Sequence, residues 1–576
     1  MTLFLLQNFQ KRSNKMQINR LWKPIIHVFI IVWFGLLQLN SFAQLSKGSY
    51  RPQTVIVKFK HSKFKNSSGN VVIDDDFQKF INGFHVTSIK KKFPNSIPPS
   101  NEKPGSVDIS NIFEISYSID VPVEKAVVYL STLKDVEYAQ PYYTDYHFFS
   151  DYIPNDPQLS KQWYITKIQA PAAWNISKGD TNIVIGYTDT GFDIFHEDLT
   201  SQIKYNWLDP IDGVDNDNDG YVDNFRGWDM ADGDNNPSNP ASITHGTTVF
   251  GIGSAKPDNA KGIAGVGFNC LVLPVKCSDQ SSQIINGYEA IVYAADHGAK
   301  IINCSWGNTI KQPLGQDIID YATFNRDALV VCASGNTNEQ LTFYPASYEN
   351  AISVAGTTSS DAKWTPQNTG STGGSTYSYF VDASAPAVNM WTTTDGSAYV
   401  NGFVGTSYSA PVFSGIAGLV RSHYPQFNAI QTGEQVRITS DIIDTLAANA
   451  LYQKKLGYGR VNAFNALNDS TKSSIRLIEY SIYGQTNGMM QAGDTVVLKG
   501  SFVNYLHAAK NVSVSISNLD GFLTPVDIAP VIDTLGTLDT IHNFEIRFAI
   551  NTNIPKDFDT PLYISYDYES GVHDYQ

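Results

Sequence analysis

The sequence predicts a central α/β domain built on a parallel sheet, preceded by a small α+β unit and followed by an all-β, sandwich-like domain. Between residues 151 and 468, short apolar segments alternate with segments of helical period. This alternation is typical of a parallel sheet covered by helices on both faces. Beyond residue 470, Val-, Ser- and Thr-rich segments with strand alternation take over, and they indicate an antiparallel β-sandwich.

Composition excludes several classes of protein. The 576 residues are 42% hydrophobic and 17% charged, which suits several buried cores rather than a disordered chain or a bundle of membrane spans. The formal net charge of -14 argues against a nucleic-acid partner. The four cysteines lie between Cys270 and Cys332 and are too few and too clustered for a disulfide scaffold. We therefore expect each of them to act as a small buried hydrophobic residue.

Residues 1–43 have the pattern of a secretory signal peptide. Basic residues up to Lys23 precede an apolar run at 25–37, and Ser41 and Ala43 are small residues at the positions a signal peptidase reads. The run is shorter than the ~20 residues of a membrane-spanning helix, although a retained anchor is the alternative. We expect a secreted protein, extracellular or at the cell surface, with no membrane span after signal removal.

The individual elements follow from local periodicity. In the α+β unit, residues 54–60 and 111–117 alternate like half-buried strands and 122–133 have helical spacing. In the central domain we predict buried strands and two helices, and in the last domain two alternating strands. The strands are 182–187, 271–275, 300–303, 329–333 and 351–355, the helices are 284–297 and 314–324, and the last two strands are 494–500 and 511–516. A strand-like segment runs up to Gln576, which leaves open that the domain 470–576 is incomplete.

Three sequence blocks carry candidate chemistry. Asp189 ends the apolar segment 183–188, His245 is followed by Gly246, and Ser407 follows Gly405-Thr406. Taken singly, an Asp cap, a structural His and an ordinary turn are the simpler interpretations. Together on this fold, they predict a serine nucleophile with a histidine base and an aspartate that orients it.

The three blocks resemble those of the subtilisin-like serine peptidases, the subtilases, whose chain order is Asp, His, Ser. The family's serine motif is matched at five positions, which are Gly405, Thr406, Ser407, Pro411 and Gly415. Two departures occur in each motif: Tyr408 and Ser409 replace Met and Ala, and Thr248 and Phe250 replace the second His and Ala of the histidine motif. The resemblance covers residues 50 to 468. The departures from the two motifs put the packing of the two catalytic helices in question.

The resemblance implies a role for each candidate residue. Ser407 attacks the peptide carbonyl, His245 moves the proton, Asp189 orients the imidazole, and Asn336 in the segment 330–336 donates to the oxyanion. Ser305, Trp306, Gly307 and Gly335 line the substrate pocket, for which a buried strand followed by a turn is the alternative. The substrates are proteins or peptides, and the chemistry needs no cofactor.

Residues 50–147 resemble the family's inhibitor-type propeptide, so the chain's own propeptide is a predicted partner of the peptidase domain 151–468. An ordinary adaptor domain is the alternative. The punctuation by Pro154 and Pro157 places the expected cut between Tyr143 and Gln158.

An acidic loop between the Asp and His blocks predicts structural Ca²⁺. Asp215, Asp217 and Asp219 stand at positions 1, 3 and 5 of an EF-hand-like loop, followed by Gly220. Position 12 is Arg226 rather than Glu, so Asp223 is expected to close a shorter loop. A solvated Asp/Asn/Gly turn is the alternative.

The leading hypothesis is therefore a secreted serine endopeptidase made as a zymogen. The competing hypothesis is a catalytically silent surface-binding or adhesion protein on a peptidase fold.

Overall fold

The computed structural model describes residues 50–60, 75–96, 107–119, 121–143, 151–240, 243–484, 490–518, 520–527, 531–556, 562–568 and 572–576. They form two compact units that divide between residues 148 and 149. The predicted signal peptide and residues 144–150 of the predicted processing region lie outside the described residues. Among the helices that are described, none is both long and apolar enough to cross a membrane.

The first unit is an antiparallel sheet with two helices packed against it. Its strands are β1 (Tyr50–Phe59), β2 (Val86–Lys91), β3 (Ile112–Tyr117) and β4 (Val136–Tyr143), in the order β2-β3-β1-β4. The helices Asp75–Phe84 and Val123–Ser131 contribute Phe80 and Leu130 to a core with Val57 of β1. Alternating and helix-period apolar residues thus form the predicted α+β unit.

The second unit is built on a seven-stranded sheet in which every neighbouring pair is parallel, so the predicted fold class is confirmed. Its strands are β5 (Val184–Asp189), β6 (Trp228–Asp229), β7 (Leu271–Lys276), β8 (Ile301–Cys304), β9 (Leu329–Ala333), β10 (Ala351–Thr357) and β11 (Ala383–Pro386). The order is β11-β10-β9-β8-β5-β7-β6. β7 and β8 lie on opposite sides of β5, so the strand order changes direction at β5. Open α/β sheets bind their ligands at such a point, outside the carboxyl ends of the strands.

Helices cover both faces of this sheet. They span Trp163–Lys167, Ala170–Ile176, His245–Ser254, Gly287–Asp296, Pro313–Asp320, Pro366–Thr369, Thr406–His423, Ala429–Ile438 and Ala463–Asn468, with a π-helical turn at Tyr321–Asn325 and 3₁₀ turns at Leu159–Lys161, Thr200–Gln202 and Ala447–Tyr452. Ile185 of β5 joins the core under Thr406–His423, whereas its neighbour Val184 joins the core under Gly287–Asp296. Strands buried on both faces explain the continuous apolar runs in the sequence.

A hairpin that the sequence did not predict packs on the helix His245–Ser254. It consists of β12 (Met390–Thr394) and β13 (Ala398–Phe403). The hydroxyls of Thr392 and Thr393 donate to the carbonyls of Thr248 and Thr247 at 2.7 and 2.8 Å. These bonds fix the helix that begins with His245.

The last region is a sandwich of two antiparallel four-stranded sheets. Its strands are β14 (Ile475–Tyr483), β15 (Thr495–Asn504), β16 (Ala509–Asn518), β17 (Leu523–Pro525), β18 (Val531–Leu535), β19 (Thr540–Ile550), β20 (Leu562–Tyr568) and β21 (Val572–Tyr575). The sheets have the orders β14-β15-β19-β17 and β18-β16-β20-β21. Residues such as Phe502 and Tyr566, one from each sheet, meet in a shared core.

Candidate active site

Asp189 lies at the carboxyl end of β5, where the buried strand stops. Its side chain is 2% exposed. One carboxylate oxygen, Oδ1, accepts hydrogen bonds from the His245 ring nitrogen Nδ1 and from the Thr190 backbone N–H, each at 2.7 Å. The structure therefore brings together two of the three predicted catalytic residues.

His245 is the first residue of the helix His245–Ser254, and its side chain is 34% exposed. Burial acts to lower its pKa, but the charge of Asp189 and the hydrogen bond to it outweigh this effect and raise the pKa above its usual value. Because Nδ1 contacts Asp189, Nε2 is the ring nitrogen left to accept a proton from a nucleophile.

Glycines allow the catalytic helices to approach their neighbours closely. A Cβ at Gly246 would collide with the Gly191 carbonyl, just beyond Asp189, and a Cβ at Gly253 would lie 3.0 Å from the Pro411 carbonyl. A larger residue at either position would push the helix of His245 away from β5 or from the helix of Ser407. The small-residue motif is thus a packing requirement of the site.

Ser407 is the second residue of the buried helix Thr406–His423. Its Oγ donates to the Ser305 carbonyl at 3.2 Å, and Ser305 Oγ donates to the Ser407 carbonyl at 2.8 Å. The ring of the next residue, Tyr408, lies 6.1 Å from the His245 ring. Ser407 is therefore tied to the predicted substrate segment and adjacent to a contact of His245.

Two departures from the family motifs contact each other. The Tyr408 side chain lies close enough to Thr248 to interact with it, and burial raises the pKa of Tyr408 to about 12. Thr248 Oγ1 also donates to the His245 carbonyl at 2.7 Å. The Tyr–Thr pair thus links the helix of His245 to the helix of Ser407, which answers the question that these substitutions raised about helix packing.

Asn336 follows β9 with its amide held in one orientation. Its Oδ1 accepts from the Thr406 backbone N–H and from Thr406 Oγ1, both at 2.9 Å. The Nδ2 group is therefore the part of the amide that can donate to a substrate. The backbone N–H groups in the first turn of a helix have no intrahelical acceptor, which makes the Ser407 N–H a second candidate donor.

All four predicted substrate-binding residues line one cleft. Ser305, Trp306, Gly307 and Gly335 line a cavity of about 360 Å³, and Ser407 and Asn336 also line it. Trp306 is fixed by bonds from its indole Nε1 to the carbonyl and hydroxyl of Thr188, both at 3.0 Å. A peptide bound in this cleft would lie beside both Ser407 and Asn336.

The acidic loop places its carboxylates differently from the predicted set. Oxygens of Asp215 and Asp217 lie within 4.8 Å of one another and of Asp209, a buried residue that the sequence analysis missed. Asp217 Oδ1 is buried and has no hydrogen-bond partner among the described residues. This oxygen-rich cluster fits the ligand chemistry of Ca²⁺.

The other two predicted ligands make different contacts. Asp223 Oδ1 accepts from the backbone N–H groups of Asp212 and Gly213 at 2.8 Å. Asp219 Oδ2 lies 2.8 Å from Nε2 of His297. These bonds shape the loop, and an EF-hand spacing alone could not indicate the contact with His297, which lies 78 residues from Asp219 in the chain.

A second pair of carboxylates also escaped the sequence analysis. Asp156 and Asp198 are buried, and desolvation raises the pKa of each to about 6. Asn259 donates to Asp198 Oδ1 at 2.6 Å, and the Asp258 N–H donates to Asp156 Oδ2 at 3.1 Å. Burial of two neighbouring acids is unfavourable at neutral pH, so this pair too could hold a cation.

Comparisons with known proteins identify the family. The model of the subtilase family, peptidase S8, matches residues 180–462. A thermophilic serine proteinase of Bacillus sp. (strain AK1) is 30% identical over 450 residues, which are 77% of this chain and 99% of that protein. Thermitase of Thermoactinomyces vulgaris is 34% identical over 322 residues, 55% of this chain and 99% of thermitase.

A solved structure of proteases from Pseudoalteromonas arctica PAMC 21717 aligns with 55% of this chain and 98% of its own, with 22% sequence identity and a TM-score of 0.45. The chain covers 99% of the length of each of these two relatives, the Bacillus proteinase and thermitase. The chain belongs to the subtilase family of serine peptidases, which act on protein substrates.

Proposed function

We propose that this protein is a secreted serine endopeptidase, made as a zymogen, that hydrolyses peptide bonds through Asp189, His245 and Ser407. The observation that carries the proposal is the 2.7 Å bond between His245 and Asp189 beside the cleft that Ser407 lines. Such an aspartate holds the imidazole in the tautomer whose Nε2 accepts a proton.

In the proposed mechanism, Ser407 Oγ exchanges its bond to the Ser305 carbonyl for one to His245 Nε2 and attacks the scissile carbonyl. The Oγ–carbon bond forms as the proton passes to His245, which then protonates the leaving amine as the peptide bond breaks. Water hydrolyses the acyl-enzyme by the same groups in reverse. Hydrogen bonds from Asn336 Nδ2 and the Ser407 N–H stabilise the oxyanion.

Secretion and zymogen activation rest on the segments before the peptidase domain. Residues 1–43 have the signal pattern, and residues 50–143 form a compact unit of their own ahead of residue 149. We propose that this unit is an inhibitory propeptide released by a cut between Tyr143 and Gln158. Amino-terminal sequencing of the secreted enzyme tests this, and a fully active form beginning at Gln44 would contradict it.

Calcium is proposed as a structural ion rather than a participant in the reaction. Asp209, Asp215 and Asp217 would hold it in the acidic loop, where its charge would neutralise carboxylates that otherwise repel each other. Asp156 and Asp198 would form a second site near Asn259. Elemental analysis of dialysed protein tests the proposal. Absence of metal would return the acidic loop to a solvated turn and leave Asp156 and Asp198 as buried acids without an ion.

The experiment for the central function is Ser407→Ala. We expect hydrolysis to fall by ~10⁶ and the precursor to remain uncut, because the nucleophile is removed. Ser422→Ala, near the far end of the same helix, serves as the matched control, since its Oγ contacts Gly418 and Cys270 and neither of them lines the cleft. A processed and active Ser407→Ala protein would refute the assignment and favour the silent binding protein or another nucleophile.

A further inference from the structure

Asn336 lies in a loop whose backbone conformation depends on its surroundings. Gly335 and Asn338, on either side of Asn336, have φ angles of 105° and 61°, in the left-handed region that L side chains rarely adopt. A residue other than glycine keeps this conformation only where neighbouring contacts fix it, and such residues are frequent near active sites. The contacts of residues 335–338, called here the Asn336 segment, therefore influence where the proposed oxyanion donor lies.

The Asn336 segment is paired with residues 374–377. The Gly374 N–H donates to the Asn336 carbonyl at 3.3 Å, and the Asn338 N–H donates to the Gly374 carbonyl at 2.8 Å. The Asn338 side chain packs against Gly374, where a Cβ would lie 2.6 Å from Oδ1. A group that binds this Oδ1 therefore holds the segment through a side chain only two residues from Asn336.

Lys363 is that group. It is 0% exposed, and its Nζ donates to Asn338 Oδ1 at 2.6 Å and to the Trp364 carbonyl at 3.3 Å. The same Nζ lies 4.9 and 4.7 Å from the ring centroids of Tyr377 and Tyr452, and such rings attract a cation. The two rings and the Trp364 carbonyl thus fix the amine that binds Asn338.

No carboxylate of the described residues pairs with this buried amine. Asp361, two residues earlier in the chain, pairs with Lys167 and Arg460 instead. Burial lowers the pKa of Lys363 to about 8, because removing an ammonium from water without a counter-ion is unfavourable. An apolar side chain would avoid this cost, and side chains that oppose the stability of a core are expected mainly at functional positions.

From these contacts, and resting on the proposed function, we propose that Lys363 is a positioning residue for the oxyanion donor. Acting through Asn338, it fixes the Asn336 segment so that Asn336 Nδ2 is directed at the oxyanion that forms on the attacked carbonyl. Lys363 is not one of the described residues that line the cleft. Loss of its amine therefore slows the chemical steps and leaves substrate affinity unchanged.

The test measures kcat and KM of the purified mature enzyme on one internally quenched peptide, at active-site concentrations measured with a fluorophosphonate probe. Lys363→Met removes the amine and keeps a side chain of similar length. Asn338→Gly removes the acceptor and still permits the left-handed backbone. Lys454→Met is the matched control, because Lys454 Nζ also lies over two tyrosine rings, those of Tyr563 and Tyr575 at 5.0 and 4.1 Å, and Lys454 does not line the cleft.

We expect Lys363→Met and Asn338→Gly each to lower kcat about 10- to 100-fold with KM changed less than about twofold, because a displacement of about 1 Å can cost ~10² in rate. Lys454→Met should keep the wild-type kcat and KM. In an Asn336→Ala background, Lys363→Met should lower kcat by less than about threefold, because the donor that it positions is already absent. A purely structural role would give the same loss in both backgrounds.

A wild-type kcat for Lys363→Met, a change confined to KM, or the full additional loss in the Asn336→Ala background would overturn the positioning role. Should Lys363→Met fail to fold, Asn338→Gly in the same two backgrounds decides the question by the same outcomes. Failure of the probe to label folded wild-type enzyme would instead contradict the proposed function, so the two failures are distinguishable.

Discussion

The carboxylate of Asp574 in β21 is expected to be essential for the stability of the whole second unit. It lies 2.8 Å from Nη2 of Arg437, which belongs to the helix Ala429–Ile438 of the peptidase region. Asp574 is 0% and Arg437 2% exposed. The same guanidinium donates through Nε to Glu434 at 2.8 Å, and Arg476 of β14 lies 3.1 Å from Glu434.

The four side chains form a neutral buried network of two acids and two arginines. Although burial acts against its charge, the attraction of Arg437 and Arg476 lowers the pKa of Glu434 to about 2. Asp574→Ala leaves one excess buried positive charge, and breaking a buried pair in this way costs about 3–5 kcal/mol. At about 2–4 °C per kcal/mol, Tm should fall by roughly 6–20 °C.

Thermal unfolding is measured in a Ser407→Ala background so that self-digestion does not interfere. Asp533→Ala, an exposed aspartate of the same β-sandwich, is the matched control. The double variant Arg437→Met/Asp574→Leu should recover most of the loss, because apolar replacements of buried ion pairs are often tolerated. A Tm for Asp574→Ala within about 2 °C of the control, less than 1 kcal/mol, would refute the reasoning.

Three further predictions concern the site. Because Asp189 raises the pKa of His245 and catalysis needs the neutral imidazole, kcat/KM should decline as pH falls through that raised pKa. Asp189→Asn should shift this acidic limb of the pH profile to lower pH and lower the rate by ~10⁴. An unshifted acidic limb would contradict the pairing of Asp189 with His245. Asn336→Ala should lower kcat by ~10²–10³ with little change in KM, whereas a pure KM effect would make Asn336 a substrate contact. Calcium should raise Tm more at pH 7.5 than at pH 5, because protons compete with the ion at Asp156 and Asp198, whose pKa values are about 6. A Tm that does not change with chelator at either pH would exclude structural calcium.

Much of the architecture could be predicted from the sequence because buried parallel strands are continuous apolar runs. The segment 329–333 is β9 residue for residue, and the predicted helix 284–297 contains the observed Gly287–Asp296. The hairpin β12–β13 was missed because exposed and half-buried residues do not alternate regularly along β13, which gives no clear strand period. It packs on the helix His245–Ser254, a tertiary contact that local periodicity does not indicate.

The residues of the candidate site were likewise only partly predictable from the sequence. Short motifs at strand and helix ends predicted Asp189, His245, Asn336 and Ser407, since each carries its own local signal. Asp209 joins the acidic loop from outside the motif, and Arg437 meets Asp574 across 137 residues. Contacts of that kind depend on tertiary packing and leave no periodic pattern in the sequence.

The central claim is that Ser407 is the activated nucleophile of this chain. Its most direct test is fluorophosphonate labelling of the secreted enzyme, followed by digestion and mass spectrometry of the labelled peptide. We predict a single adduct on the peptide that contains Ser407. The adduct should be absent from Ser407→Ala and strongly reduced in His245→Ala, because without the imidazole only water is left to accept the proton from Oγ. Absence of labelling in correctly folded wild-type protein, or an adduct on another serine, would contradict the account.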